Sequence, residues 1–214
     1  MLFDLDGTLV DSAPDLAGAI NELRAARDLA PLPYATLRPM VGTGARGMIG
    51  VAFARQPGDT GYEDLREEFL QRYGERLLQL TTVFDTMGGV LQALDDRGMP
   101  WGIVTNKATR YARALTLGLG LHSRAAVLIA GDTTAHAKPH PAPLLAAAEH
   151  MGLPPERCVY VGDDERDVQA GRAAGMRTLA ASWGYLGQGA GIHHWGADAV
   201  IDSPPALLKW LELD

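Results

Sequence analysis

The chain of 214 residues is 47% hydrophobic and 21% charged, proportions of a folded globular protein with room for one or two domains and a core of its own. Its net charge of −7 argues against binding a nucleic acid backbone, and its single cysteine excludes an internal disulfide and any cysteine-cluster metal site. No apolar run approaches the ~18 residues of a membrane span, and Met1-Leu2-Phe3-Asp4 reaches an acid with no basic segment before it, so a cytoplasmic protein that does not engage membranes is expected.

The chain opens with an apolar run that turns abruptly polar, Leu2-Phe3-Asp4-Leu5-Asp6-Gly7-Thr8, which predicts a short buried strand ending in a turn. Ser12, Pro14 and Asp15 predict a helix start with a capping-box-like pattern, and Leu16, Ala19, Ile20 and Leu23 follow at helical spacing. From there to about Thr82 the pattern is helical, without a strand. Gly42, Gly44, Gly47 and Gly50 interrupt it, and Leu65, Phe69, Tyr73 and Leu77 predict the packing face of a long helix. The remainder alternates strand-like runs (Trp101–Thr105, Val127–Ala130, Val159–Val161, Thr178–Ala181, Ala199–Ile201) with helical ones (Val90–Arg97, Ala108–Leu117, Leu144–Met151, Val168–Ala174, Ala206–Leu211). Such alternation predicts an α/β fold, a doubly wound parallel sheet covered by helices. The expected core domain comprises residues 1–11 and 84–214. An inserted α-helical cap domain comprises residues 12–83.

In an open α/β sheet, ligands bind at the carboxyl ends of the strands. Three expected strand ends carry Asp4-Leu5-Asp6-Gly7-Thr8, Thr105-Asn106 and Gly162-Asp163-Asp164 with Asp167 just behind, and a later loop carries Lys138-Pro139. One carboxylate here can attack phosphorus, and a second can protonate the leaving alcohol and then activate water. Clustered carboxylates repel one another and a phosphate dianion, so a hard cation such as Mg²⁺ is needed, with a lysine to neutralise the remaining charge.

These segments resemble the four motifs of the haloacid dehalogenase superfamily, in order and across the whole chain: Asp4-Leu5-Asp6-Gly7-Thr8-Leu9-Val10-Asp11-Ser12, Val104-Thr105-Asn106, Lys138-Pro139, and Gly162-Asp163-Asp164 with Asp167. The resemblance implies Asp4 as nucleophile, Asp6 as general acid and base, and Lys138 as the charge-neutralising amine. It implies that Thr105 and the backbone of Asn106 hold the phosphoryl oxygens, with Gly7 and Thr8 letting the chain turn beside them. Mg²⁺ would be bound by Asp4, the Asp6 backbone carbonyl and Asp163, with Asp164 or Asp167 in support. The helical insertion resembles the family's first type of cap, which closes over the site and excludes water.

An acid at Asp6 followed by Gly-Thr favours phosphoryl chemistry over dehalogenation, because a departing halide needs no proton. Ser12-Ala13-Pro14-Asp15-Leu16 and Val41-Gly42-Thr43-Gly44-Ala45 resemble the phosphoglycolate phosphatase-like branch. Trp101–Lys107, Gly162–Asp167 and Trp195-Gly196-Ala197-Asp198 resemble N-acetylmuramic acid 6-phosphate phosphatases. Both readings stay open, as do a sugar-phosphate mutase and a non-catalytic binding module. The expected partner is a small phosphomonoester, and the protein a monomer or homodimer. Arg38, Gly44 and Arg46 are candidates for contacting the substrate anion, although each arginine has an equally plain surface reading. His193-His194 lacks a nearby third ligand for a metal, and Gly42-Thr43-Gly44 lacks the ending of a phosphate-binding P-loop. Cys158, leading into an apolar run, reads as a buried hydrophobe.

Overall fold

The computed structural model describes residues 1–212; residues 213 and 214, the end of the expected core domain, lie outside them. Among the described residues, six strands form one sheet: β1 (Leu2–Phe3), β4 (Gly102–Val104), β5 (Leu128–Ile129), β6 (Val159–Gly162), β7 (Arg177–Ala181) and β8 (Ala199–Ile201). Their order is β5-β4-β1-β6-β7-β8 and every pairing is parallel. β1 is central, with Phe3 opposite Ile103 on one side and Val161 on the other. The chain winds outward from β1 through β4 to β5, then returns to β1's other side for β6, β7 and β8. That reversal opens a crevice at the carboxyl end of β1, where ligands of such sheets sit.

Neighbouring side chains of a strand point to opposite faces, and both faces here are covered. Phe3, Ile103, Val161 and Leu179 pack into one apolar cluster, and Leu2, Val104 and Tyr160 into another. On the second face, α7 (Ala142–His150) lies against β4 and β5, and α8 (Glu165–Ala173) against β6 and β7. On the first, α5 (Met87–Asp96) packs beside α9 (Pro204–Trp210), and α6 (Thr109–Gly118) follows β4. Burial on both faces is why these strands read as nearly continuous apolar runs.

Between β2 (Val10–Asp11) and β3 (Thr82–Val83) the chain forms α1 (Ala13–Ala25), α2 (Tyr34–Leu37), a 3₁₀ turn over Arg38–Thr43, α3 (Gly44–Phe53) and α4 (Tyr62–Arg76). Phe69, Tyr73 and Leu77 are buried, so the four-residue stripe is a packing face as its spacing predicts. The β2 and β3 pairing is antiparallel, Val10 opposite Val83 and Asp11 opposite Thr82. The sequence reading expected no strand here: two residues per strand carry no periodicity to detect.

A second correction concerns the start of α1. Ser12 makes no side-chain cap; its hydroxyl donates to Asp6 Oδ1 instead. Asp15, fully buried, accepts from Leu80 N (2.9 Å), Thr81 N (2.8 Å) and Thr81 Oγ1 (2.8 Å). Arg76 Nε lies 3.5 Å from its other oxygen. Asp15 is drawn into long-range contacts, and the Ser12 hydroxyl turns back to Asp6. Asp15 ties the returning chain to the helix that left the sheet.

Candidate active site

Asp4 follows directly on β1, and its N–H continues the ladder to Val161 O at 2.9 Å. Gly7, at φ +87°, turns the chain away; a Cβ there would stand 2.1 Å from Asp163 Oδ2. Glycine is therefore required both for backbone conformation and for the close approach of the β6 end. Thr8 Oγ1 donates to Asp163 Oδ1 (2.8 Å), and Tyr185 N donates to Asp163 Oδ2 (2.8 Å). Asp163 is thereby fixed from both sides.

The β4 end and the Lys138 loop are joined by a reciprocal pair, Asn106 Nδ2 to Lys138 O and Lys138 N to Asn106 Oδ1, each 2.9 Å. This holds Lys138 Nζ 2.8 Å from Asp4 Oδ1 and 2.7 Å from Asp167 Oδ1. Nζ also donates to Val104 O (3.0 Å) and Tyr160 Oη (2.7 Å). Burial opposes charge on Lys138, but Asp167 and Asp4 outweigh it and hold the ammonium above its usual range. Tyr160 was not singled out from sequence: alternating with Val159 and Val161 on a strand, it reads as core.

Asp4, Asp163 and Asp167 each place one carboxylate oxygen within 4.8 Å of the others. Burial, against the pull of Lys138 and with the push of Asp167 and Asp6, raises Asp4 to about 6. Burial, with the charges of Asp4 and Asp167, pushes Asp163 well above the carboxylate range, against the hydrogen bonds from Tyr185 and Thr8. Asp4 Oδ1 is buried without a directed hydrogen bond. Three hard oxygen donors, with Asp4 and Asp163 both resisting ionisation, fit a divalent cation, which removes that penalty. Asp164 is placed differently: it caps α8, accepting from Arg166 N (3.0 Å) and Arg166 Nε (2.7 Å), while Asp167 Oδ2 accepts from Asp164 N. Burial opposes charge on Asp164, but Arg166 prevails and holds its carboxyl below the usual range. Of the two acids expected to support the metal, Asp167 lies in the cluster, and Asp164 stands at its rim.

Asp6 lies beside this cluster, not in it. Lys107 Nζ contacts both its oxygens, at 2.9 and 3.1 Å, and lies 4.6 Å from the Tyr73 ring centre. Lys107 was not among the expected site residues, though it directly follows Thr105-Asn106. Thr105 is buried and also borders the site.

Above Asp4 opens a cavity of about 360 Å³ between the sheet edge and the helical insertion. Gly44 borders it, with Gly42 and Thr43. Arg38 and Arg46 do not. Arg38 donates to Gly184 O (3.0 Å) and Trp183 O (3.1 Å) and lies over the Tyr185 ring, tying insertion to core. Arg46 is exposed. Arg166 makes a second tie by donating to Gly42 O. Leu16, Phe69, Tyr73 and Tyr111 supply an apolar wall, and Arg66 and Arg110 stand on it. Sequence spacing marks α4 and α6 residues as packing faces but does not say that the two faces meet over the site.

A family model described as haloacid dehalogenase-like hydrolase matches residues 1–175. The chain belongs to this hydrolase family. It is 48% identical, over 97% of its length and 93% of the relative's, to a phosphoglycolate phosphatase of Xanthomonas campestris pv. campestris. It is 40% identical, over 99% of its length and 94% of the relative's, to an N-acetylmuramic acid 6-phosphate phosphatase of Pseudomonas aeruginosa. The crystal structure of a predicted phosphoglycolate phosphatase from Haemophilus somnus, 27% identical, matches with a TM-score of 0.87 over 98% of this chain and 96% of that one. Within the haloacid dehalogenase-like hydrolases, this protein is a phosphatase. No helix among the described residues is long and apolar enough to cross a membrane.

Proposed function

We propose that the protein hydrolyses a small phosphomonoester through a covalent aspartyl-phosphate on Asp4. The observation that carries this reading is the approach of Lys138 Nζ to Asp4 Oδ1 (2.8 Å) with Asp163 and Asp167 clustered alongside. An Asp4 oxygen attacks phosphorus, the ester P–O bond breaks, and the departing alkoxide takes a proton from Asp6. Water then attacks the same phosphorus, Asp6 takes its proton, and the P–O bond to Asp4 breaks to release phosphate. Lys138 offsets charge on the nucleophile and the phosphoryl oxygens, which Thr105, the Asn106 backbone and the Gly7-Thr8 turn would position.

Asp4, Asp163 and Asp167, with the Asp6 carbonyl, would hold Mg²⁺. When bound, it would supply positive charge that favours the ionised forms of Asp4 and Asp163 and neutralises phosphate. Residues 12–83 would serve as the cap, excluding water over a core of residues 1–11 and 84–214.

Similarity to the Xanthomonas enzyme supports phosphoglycolate as substrate. The cavity favours a second reading. Its ~360 Å³ has the volume of roughly a dozen waters, more than a two-carbon acid fills, and its wall includes Phe69, Tyr73 and Tyr111. An amino-sugar phosphate suits that space, in line with the Pseudomonas relative. The deciding experiment compares kcat/KM for phosphate release with Mg²⁺ from phosphoglycolate, N-acetylmuramic acid 6-phosphate and a sugar 1-phosphate. Recovery of an isomeric sugar phosphate in place of free phosphate would replace hydrolysis with mutase chemistry.

A further inference from the structure

The cavity changes character with distance from its floor. The acids that border it are Asp4, Asp6, Asp163, Asp164 and Asp167, all at the sheet edge. The cavity is also bordered by Arg66 of α4 and Arg110 of α6, away from the strand ends in the chain. The same two arginines, with Tyr111 and Leu70, also bound an adjoining hollow of about 470 Å³, which Glu63 and Glu67 of α4 border as well.

Among the described residues that border the cavity, the other cations have close carboxylates: Lys138 has Asp4 and Asp167, Lys107 has Asp6, and Arg166 has Asp164. Among the described residues, Arg66 has a 3.6 Å contact with Glu63, the two side chains being 50% and 74% exposed, and such a pair contributes little. Arg110 rests over the Tyr111 ring, 4.5 Å from its centre. Tyr111 Oη in turn donates to Leu70 O (2.8 Å), closing the seam between insertion and core where the two arginines stand.

We infer that Arg66 and Arg110 form a second anion subsite, which takes a carboxylate carried by the substrate at the end remote from its phosphate. The inference rests on the phosphatase reading of the Asp4 floor. Guanidinium groups bind carboxylates through paired N–H···O bonds, and the apolar wall between floor and subsite accommodates the body of the molecule. Because α4 belongs to the insertion and α6 to the core, a carboxylate held by both favours the closed arrangement. Phosphoglycolate and N-acetylmuramic acid 6-phosphate each carry such a group. 2-Hydroxyethyl phosphate and N-acetylglucosamine 6-phosphate are their carboxylate-free counterparts.

The test is the kcat/KM ratio within each pair, for the wild type and the Arg66→Met/Arg110→Met double variant. The wild type is expected to favour the carboxylate-bearing member of at least one pair by about 10-fold or more, the order lost with one charge-assisted hydrogen bond. The ratio is expected to collapse toward one in the double variant. A wild-type ratio near one in both pairs, or an unchanged ratio in the variant, overturns the subsite. Failure of the catalytic reading looks different: none of the four compounds releases phosphate. Titration calorimetry of the same four compounds then reads the subsite directly. Tighter binding of carboxylate-bearing members that disappears in the double variant supports it, and equal binding overturns it.

Discussion

Lys107 Nζ stands 2.9 Å from Asp6 Oδ1, and the hydroxyl of Ser12 donates to the same oxygen. The proposed acid and base is thus oriented by one group from the β4 end and one from the start of α1. Lys107→Met removes the cationic partner and leaves the Asp6 carboxylate oriented by Ser12 without it. The expected result is a fall in kcat of about 10- to 100-fold, as for loss of one charged hydrogen bond, with KM changed less. Steady-state kinetics on the preferred substrate checks it; an unchanged kcat would remove Lys107 from the machinery.

Asp4→Asn is expected to abolish turnover while the protein stays folded. Its stability carries a pH signature. Asp4 is raised from 3.8 to about 6 in the folded protein, so the native state retains a proton that the unfolded chain releases over that interval. The corresponding stability is present below pH ~4 and lost as pH rises through about 6. Asparagine does not ionise. The Tm advantage of Asp4→Asn over the metal-free wild type should therefore grow from pH 4 to 6 and level off above. A pH-independent difference would contradict the strained carboxylate.

Excess chelator is expected to stop phosphate release, with Mg²⁺ restoring it. Binding to the native state alone also stabilises: at 100 times Kd the gain is about 2.7 kcal/mol, or roughly 5–10 °C in Tm for a chain of this size. The shift should be much smaller in Asp163→Asn, which removes one carboxylate of the cluster. Thermal melts of both proteins with and without Mg²⁺ measure this, and equal shifts would place the ion elsewhere.

Asp15 is expected to be a stability residue, not a catalytic one. It is fully buried, accepts three hydrogen bonds from residues 80 and 81 and faces Arg76. Asp15→Ala leaves those donors without their acceptor and takes one of two carboxylates, Asp15 and Glu22, away from Arg76. The expected cost is about 3–5 kcal/mol, lowering Tm on the order of 10 °C. Denaturant unfolding checks the magnitude.

The fold was largely legible from sequence because each sheet strand is an apolar run cut off by a polar turn. Asp4, Thr105 and Asp163 each stand just beyond such a run, so their convergence at one sheet edge followed from the parallel arrangement. Lys138 was legible through its motif. Ser12 and Asp15 misled because a capping pattern and other polar partners compete for the same atoms, and here Asp6 took the Ser12 hydroxyl and residues 80 and 81 took the Asp15 carboxylate. β2 and β3 were missed because two-residue strands have no pattern.

The sequence by itself determined the parallel sheet, the helical insertion after its first strand, and the residues offered at the strand ends. These depend on local hydrophobic pattern and turn chemistry. Only the tertiary structure decided which carboxylates cluster. Asp167 reaches Lys138 and Asp4, while Asp164, three residues earlier, is held by Arg166 at the start of α8. It also decided that Arg66 and Arg110, 44 positions apart, face one cavity. Spacing along a helix sets which side chains share a face; the packing of one helix against another sets what that face meets.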